Sequence, residues 1–305
     1  MLTLAAALLL SPVSTPAELA SSPAPLHGTL LTPEAPTRAV AVILPGSGPT
    51  DRDGNSPQFG IRAGTYRLLA EGLAQRGVAT LRIDKRGIGQ SAAAGGAEAD
   101  LRFSTNIDDA RAWVFEAAAR TGQSCAWLIG HSEGALVALA TAARDDDKVC
   151  GLVLLSGAGR PAGVVLREQL TALPGPLKTR AYDILAELEA GRTVADPPAE
   201  LAALFRPSVQ PYLISWLTLD PAQLAAAYDG PVFVGQGATD IQVSVVDAEA
   251  IKAAQPRAEL VVWDGVNHVL KTAPADRAAN VATYMDPALP LAPGVVEAVA
   301  EFVLK

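Results

Sequence analysis

Two kinds of segment alternate along most of the 305-residue chain, and this alternation restricts the possible fold more than any other feature. Short apolar runs are typical of strands buried on both faces, and stretches with helical periodicity separate them. The runs are AVAVIL, VATLRI, CAWLIG, VCGLVLL, PVFVG and ELVVW. Strands that alternate with helices predict a mostly parallel, doubly wound α/β sheet. We expect one or two more strands from HGTLLTP and its surroundings.

The alternation stops between residues 160 and 229, where helical segments and prolines follow one another without a strand. An all-helical insertion between two strands predicts a cap over one edge of the sheet, and such insertions often shape a site. In this prediction the core consists of residues 25–159 and 230–305, and the cap consists of residues 160–229. The alternative is an insertion that only stabilises the fold.

The first 24 residues differ in character from the rest of the chain. Leu2 to Leu10 is a short apolar run followed by small residues and prolines, which is typical of a secretory signal peptide. A basic start is missing, because no Lys or Arg precedes Arg38. We therefore predict that residues 1–24 are a signal peptide or a disordered N-terminus. The protein would be exported to the periplasm or secreted; a frayed N-terminus on a cytoplasmic protein is the alternative.

Two cysteines, Cys125 and Cys150, each open an apolar run. They could be two small buried hydrophobic residues. In an exported protein with the two strands adjacent, they could also form a disulfide, although directly paired parallel strands rarely offer the geometry. Both interpretations stay open. Neither the spacing nor a neighbouring histidine indicates a metal site.

Composition excludes some functions. The net charge is −8 and there is no dense Lys/Arg cluster, so nucleic acid is not an expected partner. No apolar stretch reaches the roughly 18 residues that a membrane span needs. The segment DRDGN begins like a calcium loop, but Ser56 and Arg62 stand where that loop needs glycine and glutamate. We expect a self-bonded turn with an Arg–carboxylate contact there, and no metal or cofactor.

The segment Gly130-His131-Ser132-Glu133-Gly134 fits the pattern G-x-S-x-G. An apolar strand precedes it and an Ala-rich helix follows, which is the setting of a nucleophile elbow. In such a turn a strained backbone points the serine Oγ outward, and glycines on both sides avoid collisions. We therefore predict that Ser132 is a nucleophile.

A serine hydroxyl needs a base, for which a histidine is best suited because its pKa lies near neutral pH. Of the three histidines, His27 lies in a strand-like segment, and His131 diverges from Ser132 within the sharp turn. His268 follows the last predicted strand directly. Because strand ends at one edge of a parallel sheet converge, His268 can meet Ser132 there.

The histidine needs an acid to hold its tautomer and stabilise its cation. Asp240 follows the preceding strand directly, whereas Asp264 is too near His268 in sequence and Asp247 lies within the next helix. The order Ser132, Asp240, His268 is the order expected for a nucleophile elbow of this kind.

An oxyanion in the transition state needs preorganised N–H donors. One should be the backbone N–H of Glu133, and the other that of Ser47 in the loop after the first long strand, with Gly48 as the alternative. The side chain of Glu133 should turn aside at the start of its helix, where a negative charge is favoured.

From about His27 to the C-terminus the sequence resembles the α/β-hydrolase superfamily, and is most similar to its bacterial esterase, lipase and serine-aminopeptidase-like group. The motifs that carry the resemblance are PGSGPTDRDGN, RIDKRGIGQS, GHSEG, GATDIQV and GVNHVLK. It implies metal-free hydrolysis through an acyl-enzyme, a helical cap between the sixth and seventh strands, and the triad named above. The chain departs from the family at Pro45-Gly46, where many members have His-Gly, and at Glu133, where many carry a neutral residue.

We predict a serine esterase that acts on a small ester or acyl substrate. The alternatives are a serine aminopeptidase, a thioesterase or an acyltransferase with the same triad, and, more remotely, a non-catalytic binding protein on this fold. In the cap, Tyr212, Trp216 and Leu217 are candidates for the substrate pocket, and ordinary cap packing is the alternative for each. The oligomeric state is not predicted.

Overall fold

The computed structural model describes residues 11–144 and 147–305, and its centre is an eight-stranded sheet with the order β1-β2-β4-β3-β5-β6-β7-β8. Strands β3 to β8 are parallel to one another, and β1 and β2 run antiparallel at one edge. The strands are β1 (Val13–Leu19), β2 (Leu26–Thr32), β3 (Ala39–Leu44), β4 (Val78–Ile83), β5 (Ala126–His131), β6 (Val149–Leu155), β7 (Val232–Gly237) and β8 (Glu259–Trp263). The predicted doubly wound, mostly parallel α/β fold is confirmed.

Helices cover both faces of this sheet. Helices α2, α3 and α9 pack in the apolar core on one face, and α1 and α11 pack on the other. The helices are α1 (Thr65–Ala74), α2 (Phe103–Thr121), α3 (Glu133–Ala142), α4 (Ala162–Gln169), α5 (Gly175–Glu189), α6 (Ala202–Phe205), α7 (Gln210–Leu217), α8 (Pro221–Ala227), α9 (Val245–Ala254), α10 (Arg277–Ala282) and α11 (Val295–Val303). Burial of both sheet faces explains why β3, β4 and β7 are apolar and buried throughout.

Strand β1 lies within the segment for which we expected a leader or disorder. It pairs along its whole length with β2, although only Ala17 of its seven residues is fully buried. Main-chain hydrogen bonds rather than apolar burial hold this edge strand, so hydrophobic patterning does not reveal it, and its Pro16 is tolerated at an edge. A boundary at residue 24 therefore does not match the sheet. The apolar run Leu2–Leu10 falls outside the described residues, and export stays a prediction.

Cys125 and Cys150 form a disulfide, with their Cα atoms 5.3 Å apart. The register between β5 and β6 shifts at Ala126, where the two strands begin. This irregularity places the cysteines at strand ends rather than at directly opposed positions of a regular parallel pair. The structure thus selects the bridged interpretation over two separate buried thiols.

The segment between β6 and β7 contains α4 to α8 and has its own apolar cluster. Arg160, at its start, joins cap and core, because it binds both Glu168 of α4 and the buried Asp247 of α9. No helix in the part of the chain that the structure describes is long and apolar enough to cross a membrane.

Candidate active site

Ser132 lies at the turn between β5 and α3, with φ 54° and ψ −120°, a conformation that non-glycine residues rarely adopt. Two glycines make this turn possible. A β-carbon on Gly130 would lie 2.2 Å from the carbonyl oxygen of Gly134, and one on Gly134 would lie 2.3 Å from that of Leu44. Strand, turn and helix therefore approach more closely than any side chain would allow, and the nucleophile candidate is held in a strained turn.

His268 and Asp240, on the loops after β8 and β7, form a buried pair. Nδ1 of His268 lies 2.8 Å from Oδ2 of Asp240, and the two side chains are 6% and 0% exposed. The imidazole also lies beside the elbow, because its ring centroid is 4.9 Å from that of His131. Bonding through Nδ1 leaves Nε2 as the nitrogen available to a substrate or nucleophile.

The carboxylate of Asp240 has a full set of hydrogen-bond donors. Oδ1 accepts from the backbone N–H groups of Gln242 and Val243, and Oδ2 accepts from the side-chain amide of Gln236 as well as from His268. Burial raises the pKa of this carboxyl, but the interaction with His268 and these N–H groups outweighs burial and holds the pKa below its ordinary value. Asp240 is therefore ionised at neutral pH.

The other acidic candidates lie elsewhere. Asp247 is buried, and its carboxylate accepts hydrogen bonds from Arg160, Ser244 and the N–H of Gly159. These donors occupy both of its oxygens. Asp247 ties the cap to α9 and makes no recorded bond to His268.

The loop after β3 lies directly against the elbow. A β-carbon on Gly46 would be 3.3 Å from Cβ of Ser132, and Ser47 and Gly48 line the same cavity as Ser132 and Glu133. Within the described chain, the backbone N–H of Ser47 has no recorded acceptor. The N–H of Glu133, at the first position of α3, has none within the helix. Both predicted oxyanion donors are thus unoccupied beside Ser132.

The prediction that the side chain of Glu133 turns aside from the site is wrong. This side chain is 4% exposed, lines the cavity, and lies 3.6 Å from Nζ of Lys85. It also interacts with the hydroxyl of Tyr212, whose pKa is raised well above its usual value by burial and, second, by the charge of Glu133. Burial lowers the pKa of Lys85, an effect that the carboxylate opposes. Helix position alone could not reveal this buried partner.

His131 has a structural role that the sequence analysis did not foresee. Its Nε2 lies 2.7 Å from the carbonyl oxygen of His268, and its Nδ1 lies 2.9 Å from the hydroxyl of Tyr66. A carbonyl only accepts, so Nε2 carries the proton and the Tyr66 hydroxyl donates to Nδ1. The same hydroxyl accepts the N–H of Gly46 at 2.9 Å. Burial and, second, the nearby His268 lower the pKa of His131 to about 3, so its imidazole is neutral.

A cavity of about 330 Å³ lies between the cap and the elbow. Tyr212 and Trp216 line it, and their contact with a substrate stays a prediction. Leu217 is not among its lining residues and packs in the apolar cluster of the cap instead. It lies one position further along α7 than Trp216, and one position rotates a side chain by about 100° around a helix.

The DRDGN segment forms a self-bonded turn. Asp51 accepts the N–H groups of Asp53 and Asn55, and Arg52 binds the buried carboxylate of Asp84. Across residues 11–144 and 147–305, the structure contains no group of three or more His, Cys, Asp or Glu residues arranged to hold a metal ion.

Residues 59–264 match the family described as serine aminopeptidase, S33. This match covers most of the chain, including the elbow, the cap and Asp240, and ends four residues before His268. No curated protein sequence matches the chain significantly.

Solved structures of similar fold include several hydrolases. Est1E from Butyrivibrio proteoclasticus has a TM-score of 0.59 and 19% identity, over 95% of this chain and 97% of that one. The esterase Pf2001 from Pyrococcus furiosus has a TM-score of 0.53 and 20% identity, over 85% and 83%. A dienelactone hydrolase from Anabaena variabilis has a TM-score of 0.54 and 17% identity, over 96% and 97%. At such identities the similarity establishes the fold.

Proposed function

Because the chain belongs to the serine aminopeptidase S33 family of the α/β-hydrolase superfamily, we propose that it is a serine hydrolase that cleaves carboxylic esters. One observation carries the proposal. The buried pair of His268 and Asp240 lies beside a strained elbow whose serine opens onto a cavity. This is the combination of nucleophile, base and orienting acid that acyl transfer requires.

In the proposed reaction, Ser132 attacks the ester carbonyl while His268 takes its proton through Nε2. Asp240 holds the imidazole in the required tautomer and stabilises its cation. The N–H groups of Ser47 and Glu133 bind the developing oxyanion. His268 then protonates the departing alcohol, and water releases the acyl group by the same steps in reverse.

The chemistry of the cavity favours an ester over a substrate with a free amine. The cap contributes apolar walls from Val165, Leu166 and Leu213. Among the residues that line this cavity, Glu133 is the only carboxylate, and Lys85 already neutralises it. An aminopeptidase would need an unpaired acid there to bind the ammonium group of its substrate. Several proteins of similar fold are esterases, which supports the same choice.

Two other acids of the cap are placed no better to bind such an amine. Glu187 and Glu189 lie at the end of α5 and are paired with Arg192 and Arg167. Neither lines the cavity. The observations therefore give no support to an aminopeptidase beyond the family description itself.

The first test is Ser132→Ala, with the exposed Ser104→Ala on α2 as the matched control. We expect Ser132→Ala to lose turnover of an activated short-chain ester and labelling by a fluorophosphonate probe, with an unchanged circular dichroism spectrum. The control should keep both. Undiminished turnover by folded Ser132→Ala would refute the mechanism.

A second test compares substrate classes on the wild-type protein. We expect kcat/KM for short esters to exceed that for thioesters and for aminoacyl anilides with a free amine. A preference for the anilides would instead identify an aminopeptidase that uses the same triad. Varying the acyl length in the ester series would then measure the reach of the cavity.

A further inference from the structure

The peptide that joins Gly46 to Ser47 is held from outside the active site. Nζ of Lys85 donates at 2.5 Å to its carbonyl oxygen, which is that of Gly46. The preceding peptide is fixed as well, because the N–H of Gly46 donates to the hydroxyl of Tyr66. Lys85 follows β4 and reaches across to the loop after β3. Its side chain is only 14% exposed, so an ammonium group has been buried at this place.

The geometry of a peptide unit gives this contact a consequence. In a planar trans peptide the carbonyl and the following N–H point in opposite directions. Fixing the carbonyl of Gly46 on Lys85 therefore directs the N–H of Ser47 away from Lys85. That N–H is the one without a recorded acceptor beside Ser132.

The second donor is connected to the same ammonium. The carboxylate of Glu133 lies 3.6 Å from Nζ of Lys85, and the backbone N–H of Glu133 is the other proposed oxyanion donor. Lys85 thus contacts the segments that carry both donors. It also neutralises a carboxylate that would otherwise oppose negative charge on the substrate oxygen.

We propose that Lys85 is a positioning residue of this site, which holds the Gly46–Ser47 peptide so that the N–H of Ser47 faces the oxyanion. The inference rests on the proposed serine hydrolase mechanism. It differs from two simpler roles for Lys85, which are stabilisation of the fold and compensation of the charge of Glu133. A preorganised donor acts mainly in the transition state, so its loss should lower kcat rather than raise KM.

The first experiment replaces Lys85 by methionine, which keeps the length and removes the donor. We expect kcat for an activated ester to fall by about 10- to 100-fold with KM within about twofold, since loss of a whole oxyanion donor costs about 100- to 1,000-fold. The matched control is Lys252→Met, because Lys252 likewise donates to backbone carbonyl oxygens, those of Pro256 and Ala258. These lie just before the start of β8, at the end of the sheet opposite to the strand ends that carry the site. The control should leave kcat unchanged. An unchanged kcat in folded Lys85→Met would overturn the proposal.

The second experiment separates positioning from charge compensation. The double variant Lys85→Met/Glu133→Gln removes both charges of the pair, so it also answers the question if Lys85→Met alone does not fold. Glu133→Gln is its reference, because it removes the carboxylate and keeps the amine of Lys85 on the carbonyl of Gly46. We expect the double variant to turn over at least about tenfold more slowly than Glu133→Gln, because the carbonyl of Gly46 is still unheld. Equal kcat values for these two variants would show that Lys85 acts only through the charge of Glu133, and would overturn the proposal.

Failure of the mechanism itself is recognised separately. A wild-type protein that a fluorophosphonate probe does not label at Ser132 would refute the proposed function. If the probe labels the wild type and Lys85→Met keeps the wild-type kcat, only the proposed role of Lys85 is refuted.

Discussion

Ser132 is held in a positive-φ conformation by its immediate neighbours. Its N–H donates to the carbonyl of Leu155 on β6, and its own carbonyl accepts the N–H of Ala135 in α3. The backbone strain persists because strand and helix pack tightly across Gly130 and Gly134. At the scale of single residues, the glycines are thus as much a part of the site as the serine is.

Gly134→Ala tests this requirement, with Gly175→Ala as its control. Both glycines lie in the first turn of a helix. A β-carbon on Gly134 meets the backbone of Leu44 at 2.3 Å, whereas one on Gly175 meets no atom within 4 Å apart from its chain neighbours and its own helix. We expect Gly134→Ala to lower the free energy of unfolding by about 1–3 kcal/mol or more, through overpacking against backbone. Gly175→Ala should change the free energy of unfolding much less, because its β-carbon meets no atom beyond its own helix and its chain neighbours. Equal thermal midpoints for the two variants would contradict this explanation.

At the scale of elements, the disulfide joins the beginnings of β5 and β6, whereas the elbow follows the end of β5. The six-residue strand β5 separates the two features. The bridge therefore stabilises the pair of strands without contacting Ser132. It closes a loop with a sequence separation of 25, which contains α3.

We expect Cys125→Ala/Cys150→Ala to lower the free energy of unfolding by about 3 kcal/mol, because the unfolded chain gains conformational freedom. The kcat of the folded double variant should stay near the wild-type value. Urea unfolding with and without a reductant measures the first quantity, and the reductant should affect the wild type alone. A reductant that leaves wild-type stability unchanged would show that the bridge contributes nothing.

At the scale of the whole molecule, hydrogen bonds join three loops that are distant in sequence. Gly46, Tyr66, His131 and the carbonyl of His268 form one buried chain across the carboxyl ends of β3, β5 and β8. Helix α1 supplies Tyr66 from one face of the sheet. The position of the loop after β3 relative to His268 thus depends on the packing of helix against sheet.

The buried, neutral His131 in this chain of hydrogen bonds predicts a pH dependence of the free energy of unfolding. His131 has a pKa of about 3 in the folded protein and about 6.5 in the unfolded chain, so below pH 6.5 the unfolded state binds a proton that the folded state does not. The free energy of unfolding should therefore decrease as the pH is lowered from about 6.5 to about 3, by up to about 1.4 kcal/mol per pH unit from this group. We expect the stability advantage of the wild type over His131→Gln in urea unfolding to shrink from pH 8 to pH 5. Parallel pH curves would refute the assignment of a neutral buried imidazole.

The parts of the site that follow strand ends could be predicted from the sequence, since the ends of parallel strands converge. Asp240 and His268 were placed in this way, and the structure brings them within hydrogen-bond distance. Lys85 and Tyr66 could not be placed so. Lys85 lies in the motif RIDKRGIGQS, and Tyr66 lies between the apolar runs AVAVIL and VATLRI. No periodicity indicates which loop a long polar side chain will reach.

The sequence by itself determined the layered α/β architecture, the elbow and the order of the triad candidates, because these depend on local periodicity and on chain order. Only the tertiary structure decided the disulfide, the edge strand β1, the orientation of Glu133 and the absence of Leu217 from the cavity lining. Each of these depends on which atoms meet across the sheet or between cap and core. Such contacts are set by the packing of segments far apart in sequence, and local patterning contains no information about them.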